Sequence, residues 1–307
     1  MKKVRHLLTI RDLTAQEIQS LFTQATRLKK STSRTEPLRG KTLGLMFQKP
    51  SVRTKVSFEV GMNQLGGQTL YMGPVELEQG KRESAKDLAR VLSRYLDGIV
   101  SRTFGHQDVV EMAEWATIPV INGLSDESHP CQALADLFTI QEKTGKLRGV
   151  KMAYVGDGNN VCHSLIEATA LTGVHLAIAT PAGYEPKPEV VQWAQAQARK
   201  TGSQITLTQN PKEAVSGATI VYTDVWTSMG QEKERQQRQR IFLDFQVNRA
   251  LMQQAAKGAL FMHCLPAHRG EEVSDDLMDS KQAIVYDQAE NRLHLQKAIL
   301  LMLLEGK

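Results

Sequence analysis

The stretch Thr42–Glu59, TLGLMFQKPSVRTKVSFE, joins an apolar run to a polar turn and then to a helical pattern. The run Thr42–Phe47 has the length and composition of a buried strand. From Thr54 onward, apolar residues recur at helical spacing until a glycine pair that is typical of a helix end. We therefore interpret KPSVRT as a strand-to-helix turn in which Ser51 is the helix N-cap.

Such a turn is suited to binding an anion. The first backbone N–H groups of a helix lack partners within the helix, and the helix dipole favours negative charge there. Ser51 and Thr54 add hydroxyl groups, and Arg53 adds a planar guanidinium that matches phosphate oxygens. The turn predicts a phosphate site without a P-loop, although an ordinary capped helix with exposed basic residues remains an open alternative at this point.

The composition is that of a globular protein, with 41% hydrophobic and 23% charged residues among 307. The net charge of +5 gives no argument for nucleic-acid binding and suits a small anionic substrate. The basic cluster Glu232–Arg240 carries both signs of charge and is interpreted as a solvated helix face. The sequence shows neither an apolar run of about 18 residues, as a membrane span requires, nor a signal peptide, so a cytoplasmic location is expected.

Three cysteines are present without a CxxC pair, so a disulfide framework is not predicted. Each cysteine lies near a histidine in sequence, which keeps zinc open as an alternative interpretation. Its sharpest form is a zinc hydrolase that uses His263, Cys264 and His268. The spacing of structural zinc sites is missing, and no metal is predicted.

Apolar strand candidates alternate with helical patterns along the chain, which predicts an α/β fold. We expect two doubly wound domains, each with a mainly parallel sheet flanked by helices, linked by interdomain helices. The predicted strands are Thr42–Phe47, Gly98–Ser101, Pro119–Ile121, Lys151–Val155, His175–Ala179, Gln204–Leu207, Thr219–Tyr222, Ala259–Met262 and Ala283–Tyr286. The expected domains are residues 1–145 and 146–288, followed by a final helix within 289–307.

Polar residues recur where predicted strands end, which is where α/β folds place ligands. Four stretches share this position: Ser101-Arg102-Thr103, His129-Pro130-Cys131-Gln132, Asp224–Gly230 and His263-Cys264-Leu265-Pro266. Each alone has an ordinary structural explanation, such as a core histidine or a buried thiol. Together they predict one active site.

The combined patterns SxRT, HPxQ, DxWxSMG and HCLP resemble those of the aspartate/ornithine carbamoyltransferase family, and in particular its ornithine-specific members. The resemblance covers essentially the whole chain, from the RDLT segment to Asp287–Arg292. It implies a carbamoyl-phosphate-binding domain (1–145), on which the final helix packs back, and an ornithine-binding domain (146–288). It also implies a homotrimer, or a multiple of trimers, that converts carbamoyl phosphate and L-ornithine to L-citrulline and phosphate without a cofactor.

The resemblance further implies the role of individual residues. The expected carbamoyl-phosphate ligands are Ser51, Val52, Arg53, Thr54, Gln79 (from the neighbouring subunit), Arg102, His129, Gln132, Cys264, Leu265 and Arg292. The expected ornithine ligands are Asn160, Asp224, Ser228 and Met229, and the expected catalytic residues are Arg102, His129, Asp224 and Cys264. The sequence departs from the family pattern at Val52, where threonine is usual, and at Lys55, where arginine is common.

Three other functions are alternatives to this one. The first is a carbamoyltransferase for another amine: putrescine, N-acetylornithine or aspartate. The second is a non-catalytic phosphate-binding module, and the third is the zinc hydrolase described above. A nicotinamide dehydrogenase is disfavoured because Gly156–Asn160 lacks the third glycine of GxGxxG.

Overall fold

In the computed structural model, the described residues are 4–31, 35–79, 84–228 and 230–306, with the side chains of residues 78, 79 and 232 excepted. The chain forms two compact units: Met1–Leu134 with Asn291–Lys307, and Ala135–Glu290. Both divisions fall inside helices, so the α/β units are linked by helices, as predicted.

The first unit is built on a four-stranded sheet in which every pairing is parallel. Its strands are β1 (Thr42–Phe47), β2 (Gln68–Met72), β3 (Gly98–Arg102) and β4 (Val120–Leu124), in the order β2-β1-β3-β4. The central strand β3 is buried along its whole length, as expected for a strand covered on both faces.

The prediction missed β2, which lies at the edge of this sheet. Its sequence, QTLYM, begins with two polar residues, and its side chains are exposed or only partly buried. A search for runs that are apolar on both faces does not find such an edge strand.

The second unit has a five-stranded, all-parallel sheet in the order β7-β6-β5-β8-β9. The strands are β5 (Lys151–Val155), β6 (His175–Ala179), β7 (Ile205–Thr208), β8 (Ile220–Thr223) and β9 (Leu260–His263). All five were predicted to within one residue at each end.

The predicted strand Ala283–Tyr286 is wrong. Ala283 makes one isolated bridge to Phe261, and a helix begins at Val285. A four-residue apolar run cannot distinguish a short strand from the start of a buried helix.

Helices connect the strands in both units. They are α1 (Ala15–Lys30), α2 (Val52–Gln64), α3 (Pro74–Gln79), α4 (Ala85–Leu92), α5 (His106–Trp115), α6 (Pro130–Thr144), α7 (Asn160–Thr172), α8 (Pro188–Thr201), α9 (Pro211–Val215), α10 (Arg235–Ile241), α11 (Arg249–Met252), α12 (Asp275–Met278) and α13 (Val285–Leu304). Among the described residues, none of the helices has both the length and the apolar character of a membrane span.

Candidate active site

The strand order locates a candidate ligand site in each unit. The direction of winding reverses between β1 and β3 in the first sheet and between β5 and β8 in the second. In open α/β sheets, ligands bind outside the carboxyl ends of the strands at such a reversal. The Ser51 turn follows β1 and Arg102 ends β3, whereas Asn160 follows β5 and Asp224 follows β8.

In the first unit, the turn after β1 has the predicted form. Ser51 is the N-cap of α2, and its Oγ accepts a hydrogen bond from the backbone N–H of Thr54 at 3.3 Å. Arg292, on α13, donates from Nη2 to Thr54 Oγ1 at 2.8 Å. Because Thr54 and Arg292 are both buried, the guanidinium is held firmly beside the N-terminus of α2.

His129 lies in the same positively charged environment. Burial lowers the pKa of its ring well below the usual value, and the charges of Arg292, Arg102 and Arg53 lower it further. The imidazole is therefore neutral at neutral pH. Three guanidinium groups near a neutral, buried ring create a positive potential that favours an anion.

The remaining candidates in this unit lie on the adjoining helices. Gln132 is buried in the first turn of α6, and its backbone N–H donates to the carbonyl of His129 at 3.1 Å. Val52 is the first residue of α2, and its side chain is 77% exposed. A ligand contact made by its backbone N–H would not require the hydroxyl of the threonine that is usual in the family. Gln79 ends α3, and its side chain lies outside the described residues.

In the second unit, Asp224 and Cys264 are in direct contact. The thiol of Cys264 donates to Asp224 Oδ1 at a distance of 2.9 Å, and Asn159 Nδ2 donates to Asp224 Oδ2 at 2.8 Å. Burial raises the pKa of the Cys264 thiol well above its usual value, and the Asp224 carboxylate raises it further. The thiol therefore remains protonated and acts as a hydrogen-bond donor.

The other candidate residues of the second unit also lie after strands of its sheet. Asn160 is the first residue of α7, and Leu265 follows Cys264 with a positive φ of 58°. The backbone N–H of Ser228 donates to Gln231 Oε1 at 3.1 Å, and Met229 lies outside the described residues.

Sequence reasoning overlooked Asn159. It is the N-cap of α7, where its Oδ1 accepts from the N–H groups of Val161 and Cys162, and its Nδ2 reaches Asp224. The capping role is readable from an asparagine that immediately precedes a helix. The contact with Asp224 spans 65 residues of sequence and is visible only in the fold.

The metal alternative has a geometric basis, since potential ligand atoms of Asp224, His263 and Cys264 lie within 4.8 Å of one another. Both ring nitrogens of His263 are already engaged, however. Nδ1 accepts from the N–H of Leu265 at 2.8 Å, and Nε2 lies 3.2 Å from Glu272 Oε1. The Cys264 thiol is engaged as well, since it donates to Asp224 Oδ1 at 2.9 Å. The arrangement therefore favours a hydrogen-bonded site over a zinc site.

Comparison with known proteins assigns the two halves of the chain to one family. Residues 5–142 match the carbamoyl-P binding domain of aspartate/ornithine carbamoyltransferase, and residues 148–303 match its Asp/Orn binding domain. The ornithine carbamoyltransferase of Thermococcus kodakarensis is 51% identical over 305 residues, which are 98% of this chain and 97% of that protein.

A second relative comes from Pyrococcus furiosus, where an ornithine carbamoyltransferase described as anabolic is 52% identical over 98% of this chain and 97% of its own length. The solved structure of ornithine carbamoyltransferase from the same organism matches with a TM-score of 0.96 and 52% identity, covering 99% of this chain and 98% of that one.

Proposed function

Because the chain belongs to the aspartate/ornithine carbamoyltransferase family, we propose that its first unit binds carbamoyl phosphate and its second unit binds L-ornithine. The chain transfers the carbamoyl group to the δ-amine of L-ornithine, which yields L-citrulline and phosphate. The name of the P. furiosus relative supports the biosynthetic direction, toward arginine.

One observation carries the assignment of the first unit: a neutral His129 beside three guanidinium groups and a capped helix N-terminus. Carbamoyl phosphate brings a phosphate that needs cations and N–H donors, together with a carbonyl oxygen that needs hydrogen-bond donors. The Ser51 turn, Arg53 and Arg292 suit the phosphate, whose charge grows as it leaves. Arg102 and an N–H of His129 suit the carbonyl oxygen, which becomes negative when the amine attacks.

The second unit has to present an uncharged amine. At pH 7, removing the proton of an alkylamine with a pKa near 10.4 costs about 4–5 kcal/mol. We infer that Asp224 binds the α-ammonium of ornithine and that Asn160 and the Ser228-Met229 loop bind its other polar end. Cys264 then orients the δ-amine as a neutral hydrogen-bonding partner. That Cys264 and Leu265 also contact carbamoyl phosphate stays a prediction.

We also propose a homotrimer located in the cytoplasm. Exposed apolar side chains along α2 support association of subunits. All three cysteines are free thiols, as is usual in a reducing compartment.

An amine panel tests the proposed function. The purified chain is incubated with carbamoyl phosphate and L-ornithine, putrescine, N-acetylornithine or L-aspartate, with and without a chelator. We expect carbamoylation of L-ornithine at a kcat/KM at least about 100-fold above the other amines, since each of those lacks or alters a group that the site must pair. Chelator should have no effect. A preference for another amine would overturn the ornithine assignment.

A matched pair of variants tests the first unit. Arg102→Ala should lower kcat by about 100-fold or more, because a buried donor to the developing oxyanion is lost. Arg94→Ala, at an exposed position in the same unit, should leave kcat unchanged. A near-normal rate for Arg102→Ala would remove this residue from the transition state.

A further inference from the structure

One residue of the basic cluster Glu232–Arg240 does not lie on a solvated face. On α10, Arg235 and Arg240 are exposed, whereas Arg238 is only 6% exposed. Burying a guanidinium is costly unless its N–H groups are paired. Its partners therefore indicate why this helix carries an arginine on its inner side.

The Arg238 guanidinium joins separate segments of the second unit. Its Nη1 donates to Asp157 Oδ2 at 3.0 Å and to the backbone carbonyl of Trp226 at 2.9 Å. Its Nε donates to Glu234 Oε2 at 3.0 Å, and its central carbon lies 4.9 Å from the centre of the Tyr184 ring.

Two of these partners belong to the loops that carry the candidate ornithine ligands. Asp157 lies in the loop between β5 and α7, just before Asn159 and Asn160. Trp226 lies after β8, between Asp224 and Ser228. Nη1 of Arg238 thus connects the backbone of the loop after β8, at Trp226, to the buried carboxylate of Asp157 in the loop after β5.

We propose that Arg238 is a positioning residue for ornithine: it sets the spacing of these two loops and thereby the affinity for the amino acid. This inference rests on the proposed function of the second unit. Arg238 touches neither reacting group, so its effect is transmitted through Asp157 and through the Trp226 carbonyl.

The chemistry of the contact requires arginine. A guanidinium presents several donors in one rigid plane, whereas a lysine ammonium is a compact point charge on a flexible stem. Substitution by lysine keeps the charge but cannot reproduce the three hydrogen bonds made by Nη1 and Nε. The buried Trp226 carbonyl or the Asp157 carboxylate then loses its donor, and the loop that carries it shifts toward other partners.

The test compares Arg238→Lys with Arg240→Lys, a control on the exposed side of the same helix. For Arg238→Lys we expect the KM for ornithine to rise about tenfold while kcat changes by less than about threefold, because binding common to the ground and transition states is lost. The KM for carbamoyl phosphate should stay within twofold, and Arg240→Lys should match the unmodified chain in every parameter. A general loss of structure would instead change both KM values and kcat together.

Asp157→Asn provides a second, milder variant in which the shape is kept and the charge is removed. It should raise the KM for ornithine about threefold, since a charged hydrogen bond becomes a neutral one. If Arg238→Lys does not fold, this variant decides the question. An unchanged KM for ornithine in a folded variant of an active enzyme overturns the inference about Arg238, whereas absence of citrulline formation by the unmodified chain overturns the proposed function instead.

Discussion

At the scale of single residues, the protonation of the Cys264 thiol can be tested by its reactivity. Burial and the Asp224 carboxylate raise the pKa of this thiol and keep it protonated. Iodoacetamide reacts with thiolates, so we expect alkylation of Cys264 to be slow at pH 8 and to accelerate only at strongly alkaline pH. Cys264→Ser should keep activity within about tenfold of the unmodified chain, because a hydroxyl can donate the same bond to Asp224. Fast alkylation at neutral pH, followed on the intact protein by mass spectrometry, would contradict this picture.

The lowered pKa of His129 makes the stability of the folded chain depend on pH. Its pKa is lowered in the folded chain, first by burial and then by Arg292, Arg102 and Arg53, whereas in the unfolded chain the ring titrates near 6.5. Below that pH the unfolded state binds more protons than the folded state. The stability associated with this group is therefore complete above about pH 6.5 and is lost as the pH falls.

We expect His129→Gln to flatten the fall of the unfolding temperature between pH 7 and pH 5, measured by circular dichroism. His106→Gln is the control in the same unit, since the neighbour of that ring is the hydroxyl of Ser125, 2.8 Å from Nδ1. The control should keep the pH dependence of the unmodified chain. An unaltered acid decline in His129→Gln would show that the ring is protonated in the folded state.

Sequence motifs identified the charged residues of the candidate site but not the residues that hold them. Ser51 was correctly predicted as an N-cap because the capping signal is local, whereas the phosphate-binding role of Arg53 stays a prediction. Asn159 and Arg238 were missed because their partners, Asp224 and Asp157, are 65 and 81 positions away. No local pattern separates a buried arginine from its exposed neighbours on a polar helix.

At the scale of elements, the strands of the second sheet were predictable, including its edge strand β7, whereas the edge strand β2 of the first sheet was not. Four strands of the second sheet are mainly apolar runs, and β7 (ITLT) alternates apolar and polar residues. Both patterns are typical of strands. In β2, every side chain is exposed or only partly buried, and the strand is held in the sheet by its pairing with β1. Local sequence does not encode that pairing.

Two helix N-caps allow the structural and the ligand-binding roles of Ser51 to be separated. Ser51 caps α2, and Ser84 caps α4 by accepting from the N–H of Asp87 at 3.1 Å. Replacing either serine by alanine should cost about 1 kcal/mol in the free energy of unfolding. Only Ser51→Ala should also weaken carbamoyl phosphate binding, measured by calorimetry. Equal binding by both variants would show that the α2 cap does not belong to the anion site.

At the scale of the whole molecule, the exposed surface of α2 supports association of subunits. Val52, Val56 and Val60 recur every four residues, so they form one stripe along the helix, and their exposed fractions are 77%, 48% and 38%. Leu70 and Val75 are also exposed, at 51% and 67%. An exposed apolar stripe of this kind supports the proposed contact between subunits.

We therefore expect Val56→Glu to dissociate the proposed trimer, because burial of an unpaired carboxylate at the contact is costly. Sedimentation velocity should show trimers for the unmodified chain and smaller species for the variant. Val91→Glu introduces the same charge at an exposed valine of α4 and should sediment as the unmodified chain does.

Citrulline formation should fall with the trimer, since Gln79 is expected to act from the neighbouring subunit. A Val56→Glu variant that still sediments as the unmodified chain would place the contact between subunits elsewhere, and an active monomer would show that Gln79 is not needed from a second chain.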